Sequence, residues 1–101
     1  MRNLLYIDDI REINKNLYNQ FNIYIAKNYN EAIAILNKNK IDIIDLDHDL
    51  SEDKTGYDIA KYIVENNINI GGFNIHSMNV VGRKNIRDLL MHYGYKEIWL
   101  I

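Results

Sequence analysis

Short apolar runs alternate with helix-period segments along this chain, and no other feature constrains its fold as tightly. That alternation marks a parallel sheet whose crossover helices cover it. The first run is Asn3 to Ile7, closed by Asp8-Asp9. Ile13 and Leu17, spaced i, i+4, predict a helix from about Arg11 to Asn19. Phe21 to Ala26 alternates as a second strand. Asn30 suits the cap of a helix carrying Glu31 to Leu36, which the Asn-Lys run to Lys40 ends. Ile41 to Leu46 is apolar on nearly every position, as expected of a central parallel strand. After a polar loop from Asp47 to Thr55, Gly56 opens a helix through Tyr57, Ile59, Ala60, Ile63 and Val64, ended by Asn66-Asn67. Gly71-Gly72 turns into a fourth strand, Phe73 to His76, and a loop from Ser77 to Gly82 leads to a helix over Arg83 to His92. Gly94 stops that helix, and Tyr95 to Ile101 reads as a last strand.

Five strands and four helices in alternation predict an α/β, flavodoxin- or receiver-like fold. The expected sheet is parallel, in the order 2-1-3-4-5, with helices on both faces. With 101 residues, a single domain over 1–101 is the natural reading. In such sheets ligands bind beyond the carboxyl ends of the strands, at the switch between strands one and three. Asp8-Asp9, Asp47-His48-Asp49 and His76-Ser77 all fall at that edge, so three segments distant in sequence are expected to converge.

Composition narrows the chemistry. There is no cysteine, which excludes disulfides, thiolate metal sites and a cysteine nucleophile. A net charge of −2 gives no general attraction to DNA or anionic membranes, so any nucleotide must be held by local groups. No stretch approaches the ~20 apolar residues of a membrane span. The apolar start breaks at Asp8-Asp9, too early for a signal peptide, and a cytoplasmic location is expected.

Each candidate site residue has a structural alternative. Asp8 and Asp9 repel each other unless a cation or base lies between them, and magnesium favours such oxygens. One of the two could instead cap the next helix. Asp47 and Asp49 fall on one side of the extended chain and His48 on the other, with Asp45 continuing the acidic row. Acids ending a buried strand are costly without partners, and a carboxylate beside an imidazole suits proton transfer. His76 stands where a general acid or base would be placed, and Ser77 suits a phosphate-binding hydroxyl better than a nucleophile. Gly82 at a helix start offers backbone N–H groups to an anion, reinforced by Arg83 and Lys84; the alternative is an ordinary helix start. Trp99 is expected in the core or at an interface.

Asp8-Asp9-x-Arg11, Leu46-Asp47-His48-Asp49-Leu50, Thr55-Gly56-Tyr57-Asp58 and His76-Ser77-x-Asn79-x-x-Gly82 together resemble the cyclic-phosphate-processing receiver-like domains. That family is an offshoot of the response-regulator receiver fold, and the likeness runs from about residue 4 to residue 90. It implies action on a cyclic phosphate of a nucleotide or RNA end. Asp8, Asp9 and Asp47 match the acidic pocket that holds magnesium in receivers, and Asp47 matches the phospho-accepting aspartate. His48, Asp49, His76, Ser77 and Asn79 match positions peculiar to the cyclic-phosphate group, and Arg11 its basic position. Receivers carry a lysine and a cis-proline after the fifth strand; Leu100-Ile101 offer neither, so phosphorelay signalling is not expected. Without a final helix, apolar surface near Ile98-Trp99-Leu100 would lie bare, and a homodimer or another partner at that face is expected.

The resulting expectation is a hydrolase, a phosphoesterase that opens a cyclic phosphate. Asp8, Asp9 and Asp47 would hold magnesium or another divalent cation. His76, His48, Asp47 and Asp49 would act in catalysis, and Arg11, Ser77, Asn79, Gly82 and Arg83 would bind the phosphate. The alternatives are a module that binds a nucleotide without turnover and a protein-interaction adaptor on the same scaffold.

Overall fold

The computed structural model describes residues 1–100. Four parallel strands, β1 (Arg2–Ile7), β2 (Phe21–Ala26), β3 (Ile43–Leu46) and β4 (Gly72–Ile75), lie in the order β2-β1-β3-β4. Three helices follow β2, β3 and β4: α1 (Tyr29–Lys38), α2 (Gly56–Glu65) and α3 (Val80–His92). The order 2-1-3-4 and the receiver-like layout are those expected from the sequence.

Two expected elements are absent as such. The span from Arg11 to Asn19 is irregular to Asn14 and then turns, rather than a helix, so there are three helices among the described residues and not four. Its Asn side chains compete for the backbone: Asn14 Oδ1 accepts the N–H of Asn16 at 3.1 Å. Tyr18 is meanwhile drawn inward, its hydroxyl donating to Asp45 at 2.7 Å. The fifth strand shrinks to a single bridge between Phe73 and Glu97; Ile101 lies outside the described residues. Two main-chain bonds to Phe73 make the bridge, its N–H donating to Lys96 and its carbonyl accepting from Ile98, each at 2.8 Å, and side chains hold the rest of the segment. The Tyr95 hydroxyl donates to the Ile68 carbonyl at 2.7 Å, and Arg87 grips both oxygens of Glu97 at 2.8 and 2.9 Å.

Caps move other boundaries. Asn28, not Asn30, caps α1, accepting the Glu31 N–H at 2.9 Å, so the helix begins at Tyr29. Asn79 caps α3 and starts it at Val80, earlier than Arg83. β4 ends at Ile75, which leaves His76 just past the strand.

The sheet has two unlike faces. Leu5, Ile7, Ile44, Leu46, Phe73 and Ile75 form the main core with Ala32 and Leu36 of α1, Ile59, Ala60 and Ile63 of α2, and Ile86 and Leu90 of α3. All three helices therefore cover one face, and the expectation of helices on both faces is corrected. On the other face Leu4, Tyr6 and Ile43 pack under Tyr18 and Phe21, with Ile13, Ile98 and Leu100 against them. The missing crossover helix is what would have covered this face; turns and the chain's last residues replace it. Of the segment expected to lie bare, Ile98 and Leu100 pack inward, while Trp99 is 76% exposed and not part of the core.

Gly56 fixes the loop between β3 and α2. Its N–H donates to the His48 carbonyl at 2.8 Å, and a Cβ there would overlap the Asp47 carbonyl. Thr55 and Asp58 close a capping box on the same helix end. Replacing Gly56 with Ala should cost about 1–3 kcal/mol of stability in urea denaturation, by overpacking. A Gly94→Ala control tests a different cost, since Gly94 has open space and only its φ of 88° resists a side chain. Stability unchanged in Gly56→Ala would show that the loop does not depend on this close approach.

Candidate functional site

The parallel register places Tyr6, Asp45 and Asn74 side by side on β1, β3 and β4. All three point to the helix-free face, opposite the main core. One residue past each strand, the ladder makes a last backbone bond: Asp8 N–H to Ala26, Asp47 N–H to Ile7 and His76 N–H to Leu46, at 3.0–3.1 Å. Those bonds carry the strand geometry to the sheet edge and bring Asp8, Asp47 and His76 together.

His76 lies between two buried carboxylates. Its Nδ1 is 2.6 Å from Asp45 Oδ1 and its Nε2 is 2.9 Å from Asp8 Oδ2. Asp45 is fully buried and also accepts from the Tyr18 hydroxyl at 2.7 Å and the Asn74 amide at 3.0 Å. Asp8 Oδ1 accepts the N–H groups of Ile10 and Arg11 at 2.9 and 2.8 Å. Tyr6 stacks flat on the imidazole, ring centroids 4.7 Å apart. With carboxylates on both ring nitrogens, the ring satisfies both contacts only as an imidazolium donating twice.

The titration shifts agree. Burial is the largest influence on His76 and would lower its pKa, but the hydrogen bonds and charges of Asp45 and then Asp8 outweigh it and the net shift is upward. For Asp8, burial again opposes the charge, and the Ile10 and Arg11 N–H groups with His76 bring the net shift below the ordinary carboxylate value. Burial, then the charges of Asp8 and Asp45, push the Tyr6 phenol up to about 12.

Asp8, Asp9 and Asp47 each offer an oxygen within 4.8 Å of the others. The set is all carboxylate, and only Asp8 is buried, so hard divalent ions such as magnesium or manganese fit its chemistry. Asp8 takes three hydrogen bonds, which aim it, and still has an oxygen lone pair to give. These residues line a cavity of about 270 Å³ together with Arg11, Asp49 and Ser51.

A second cluster stands beside this cavity. His48 Nδ1 is 2.8 Å from Asp49 Oδ1, and the Asn79 amide reaches the same Asp49 oxygen at 3.3 Å. His48 holds Asp49 below the ordinary carboxylate range, with Asn79 assisting. With Nδ1–H on Asp49, the Nε2 of His48 is left to act. Gly82 explains the fit, because a Cβ there would overlap the His48 ring.

Other candidates are placed differently from expectation. The Gly82 N–H is taken by Asn79 Oδ1 at 2.9 Å, so it is not open to an anion. Ser77 is buried and accepts the Asn79 N–H at 3.1 Å. Arg83 reaches back to the Ser77 carbonyl, and Arg11 to the His76 carbonyl, each at 3.4 Å. Tyr6, Tyr18 and Asn74 belong to the site through Asp45, and no motif marks them; an acid inside an apolar strand, as Asp45 is, is the sequence signal that points to such partners.

The two shifts set opposite flanks on stability, measured with chelator present. His76, raised, stabilises fully below its unfolded pKa of about 6.5 and loses that stabilisation as pH rises through its folded value. Asp8, lowered, stabilises above about 3.9 and loses it as pH falls through its folded value. Urea denaturation should therefore show greatest stability between about pH 4 and 6.5, and His76→Asn should flatten the alkaline flank. An unchanged alkaline flank in that variant would contradict the bridge.

The family model of the cyclic-phosphate processing receiver domain matches residues 3–92. No curated protein matches the sequence. Among solved structures, the chain is similar to the signal receiver domain of a protein described as a Luxo repressor from Vibrio parahaemolyticus. The TM-score is 0.75 at 21% identity, over 96% of this chain and 76% of that one. It is also similar to a response regulator from Thermotoga maritima, with a TM-score of 0.65 at 22% identity, over 99% of this chain and 89% of that one. At these identities the likeness shows a receiver fold alone. With the family model matched over most of the chain, the protein belongs to the cyclic-phosphate processing receiver domain family.

Proposed function

We propose that the protein opens a cyclic phosphate on a nucleotide or RNA end in the cleft of Asp8, Asp9 and Asp47. The observation that carries this is the meeting of three acids from two strand ends with Arg11 and Asp49 at one cavity, where Asp49 in turn holds His48 just outside the lining. A phosphoesterase needs charge on the phosphoryl oxygens and a proton moved from water to the leaving oxygen. The acids would hold a divalent ion, which when bound supplies charge stabilisation at the phosphoryl oxygens and acidifies water. Arg11 would hold a phosphate oxygen by charge-assisted hydrogen bonds.

His48 is the better proton carrier of the two histidines. Both nitrogens of His76 face carboxylates, whereas His48 has one nitrogen anchored and one to work with. His48 takes the proton of the attacking water at Nε2. The water oxygen bonds to phosphorus as the ring P–O bond breaks, and the freed ribose oxygen receives a proton from the same nitrogen. One water is added and nothing is lost. His76 instead holds Asp8 in place, and Asp49 with Asn79 keeps His48 oriented.

The test is a product assay on cyclic phosphates resolved by mass. The panel holds 2′,3′-cyclic RNA ends, cyclic mononucleotides, cyclic oligonucleotides and ADP-ribose cyclic phosphate, with magnesium, manganese or chelator. One class should gain a single water. Asp47→Asn should lose turnover, and His48→Gln should lower kcat by about 10²–10⁴-fold. Ligand bound intact with no product across the panel would overturn catalysis in favour of a binding module. Full turnover in His48→Gln would remove His48 from the chemistry.

A further inference from the structure

On the helix-free face, outside the acidic cleft, Tyr6 is buried to all but 4% and its hydroxyl has no hydrogen-bond partner among the described residues. A sealed hydroxyl without a partner would be costly, but none of the fully enclosed side-chain polar atoms lacks one, so this oxygen reaches open space. The open space is two grooves that share Tyr6, Arg11 and Glu12 as walls. One, of about 200 Å³, is completed by Leu17, Tyr18 and His76 among others. The other, of about 230 Å³, runs toward Ile13, Ile25 and Lys27. Arg11 lines both of these and the acidic cavity as well.

We infer that the groove of Tyr6, Glu12, Leu17 and Tyr18 is the subsite for the base of a nucleoside phosphate whose phosphate lies across Arg11 in the acidic cleft. This rests on the reading of that cleft as a phosphate site and specifies what is attached to the phosphate. Each groove is smaller than the roughly 300–1,000 Å³ of a pocket for a drug-sized ligand, and so suits one flat ring system. Its walls suit a nucleobase: apolar and aromatic surface for the ring, with polar groups at the edge. The Tyr6 hydroxyl, an O–H with no partner among the described residues, donates to a ring nitrogen or carbonyl. Glu12 accepts from an exocyclic amino group or a ribose hydroxyl. Charge supports the order of the parts, since Arg11 between cleft and groove faces the phosphate from either side. The half-exposed Leu17, at 47%, gives the base an apolar edge that the groove otherwise leaves in water.

The test compares adenosine and uridine 3′-monophosphates with base-free ribose 5-phosphate, in magnesium, by calorimetry and by backbone amide shifts. Both nucleotides should bind at least about tenfold tighter than the ribose phosphate and shift the amides of Tyr6, Arg11, Leu17 and Tyr18. Tyr6→Phe keeps the ring packing and should weaken the nucleotides about three- to tenfold while leaving ribose phosphate unchanged. Leu17→Ala, at a half-exposed position, should act in the same direction. A short RNA bearing the same 3′-phosphate identifies an RNA end if it binds tighter than the mononucleotides, and a free nucleotide if it does not. Equal binding of ribose phosphate and nucleotides, or no binding by any of them, would overturn the subsite. Tight nucleotide binding at these amides without turnover of any cyclic phosphate would uphold the subsite and overturn the hydrolytic reading.

Discussion

The contact on which this site depends is the imidazole of His76 held between Asp8 and Asp45. Two carboxylates, 3% and 0% exposed, could not both keep their charges there without a cation. His76 supplies it, and in doing so ties the end of β4 to the end of β1 and the middle of β3. The consequences spread outward. Asp45 draws in the Tyr18 hydroxyl, which brings the turn segment down over the helix-free face. Asp8, held by His76 on one oxygen and two backbone N–H groups on the other, is aimed at the cleft it shares with Asp9 and Asp47.

This arrangement divides labour between the two site histidines. A ring that donates from both nitrogens is a fixed charge, and its work is to position Asp8. A ring with one nitrogen on a carboxylate and the other unassigned has the layout of an acid–base group. His48 has that layout through Asp49, and Gly82 makes room for it at the start of α3. Gly82 thus serves the site through the side chain it lacks, not through its N–H group, which Asn79 occupies.

Much of this was legible in the sequence. The order β2-β1-β3-β4 and the gathering of Asp8, Asp9, Asp47 and His76 at one edge follow from alternation and from the rule for parallel sheets. What was not legible arose from contacts between distant segments. Ile13 and Leu17 have helical spacing, yet the turn propensity of Asn14 and Asn16 and the reach of Tyr18 to Asp45, 27 residues away, prevail over it. The last strand likewise shortens to one bridge at Phe73, with Tyr95 and Glu97 anchored by side chains to Ile68 and Arg87. Asp45 looked like the continuation of an acidic row; only the register that sets Asn74 beside it and Tyr6 across from it gives it partners.

The most direct measurement is the protonation of the His76 ring, read from imidazole ¹⁵N shifts in protein labelled at histidine. The bridge predicts that at pH 6.5, where an ordinary imidazole is about half protonated, most of the His76 rings carry protons on both nitrogens, and that Asp45→Asn lowers that fraction and loosens the Tyr18 ring. A His76 ring that is neutral at that pH, with one bare nitrogen, would contradict the bridge and return His76 to the list of candidate bases.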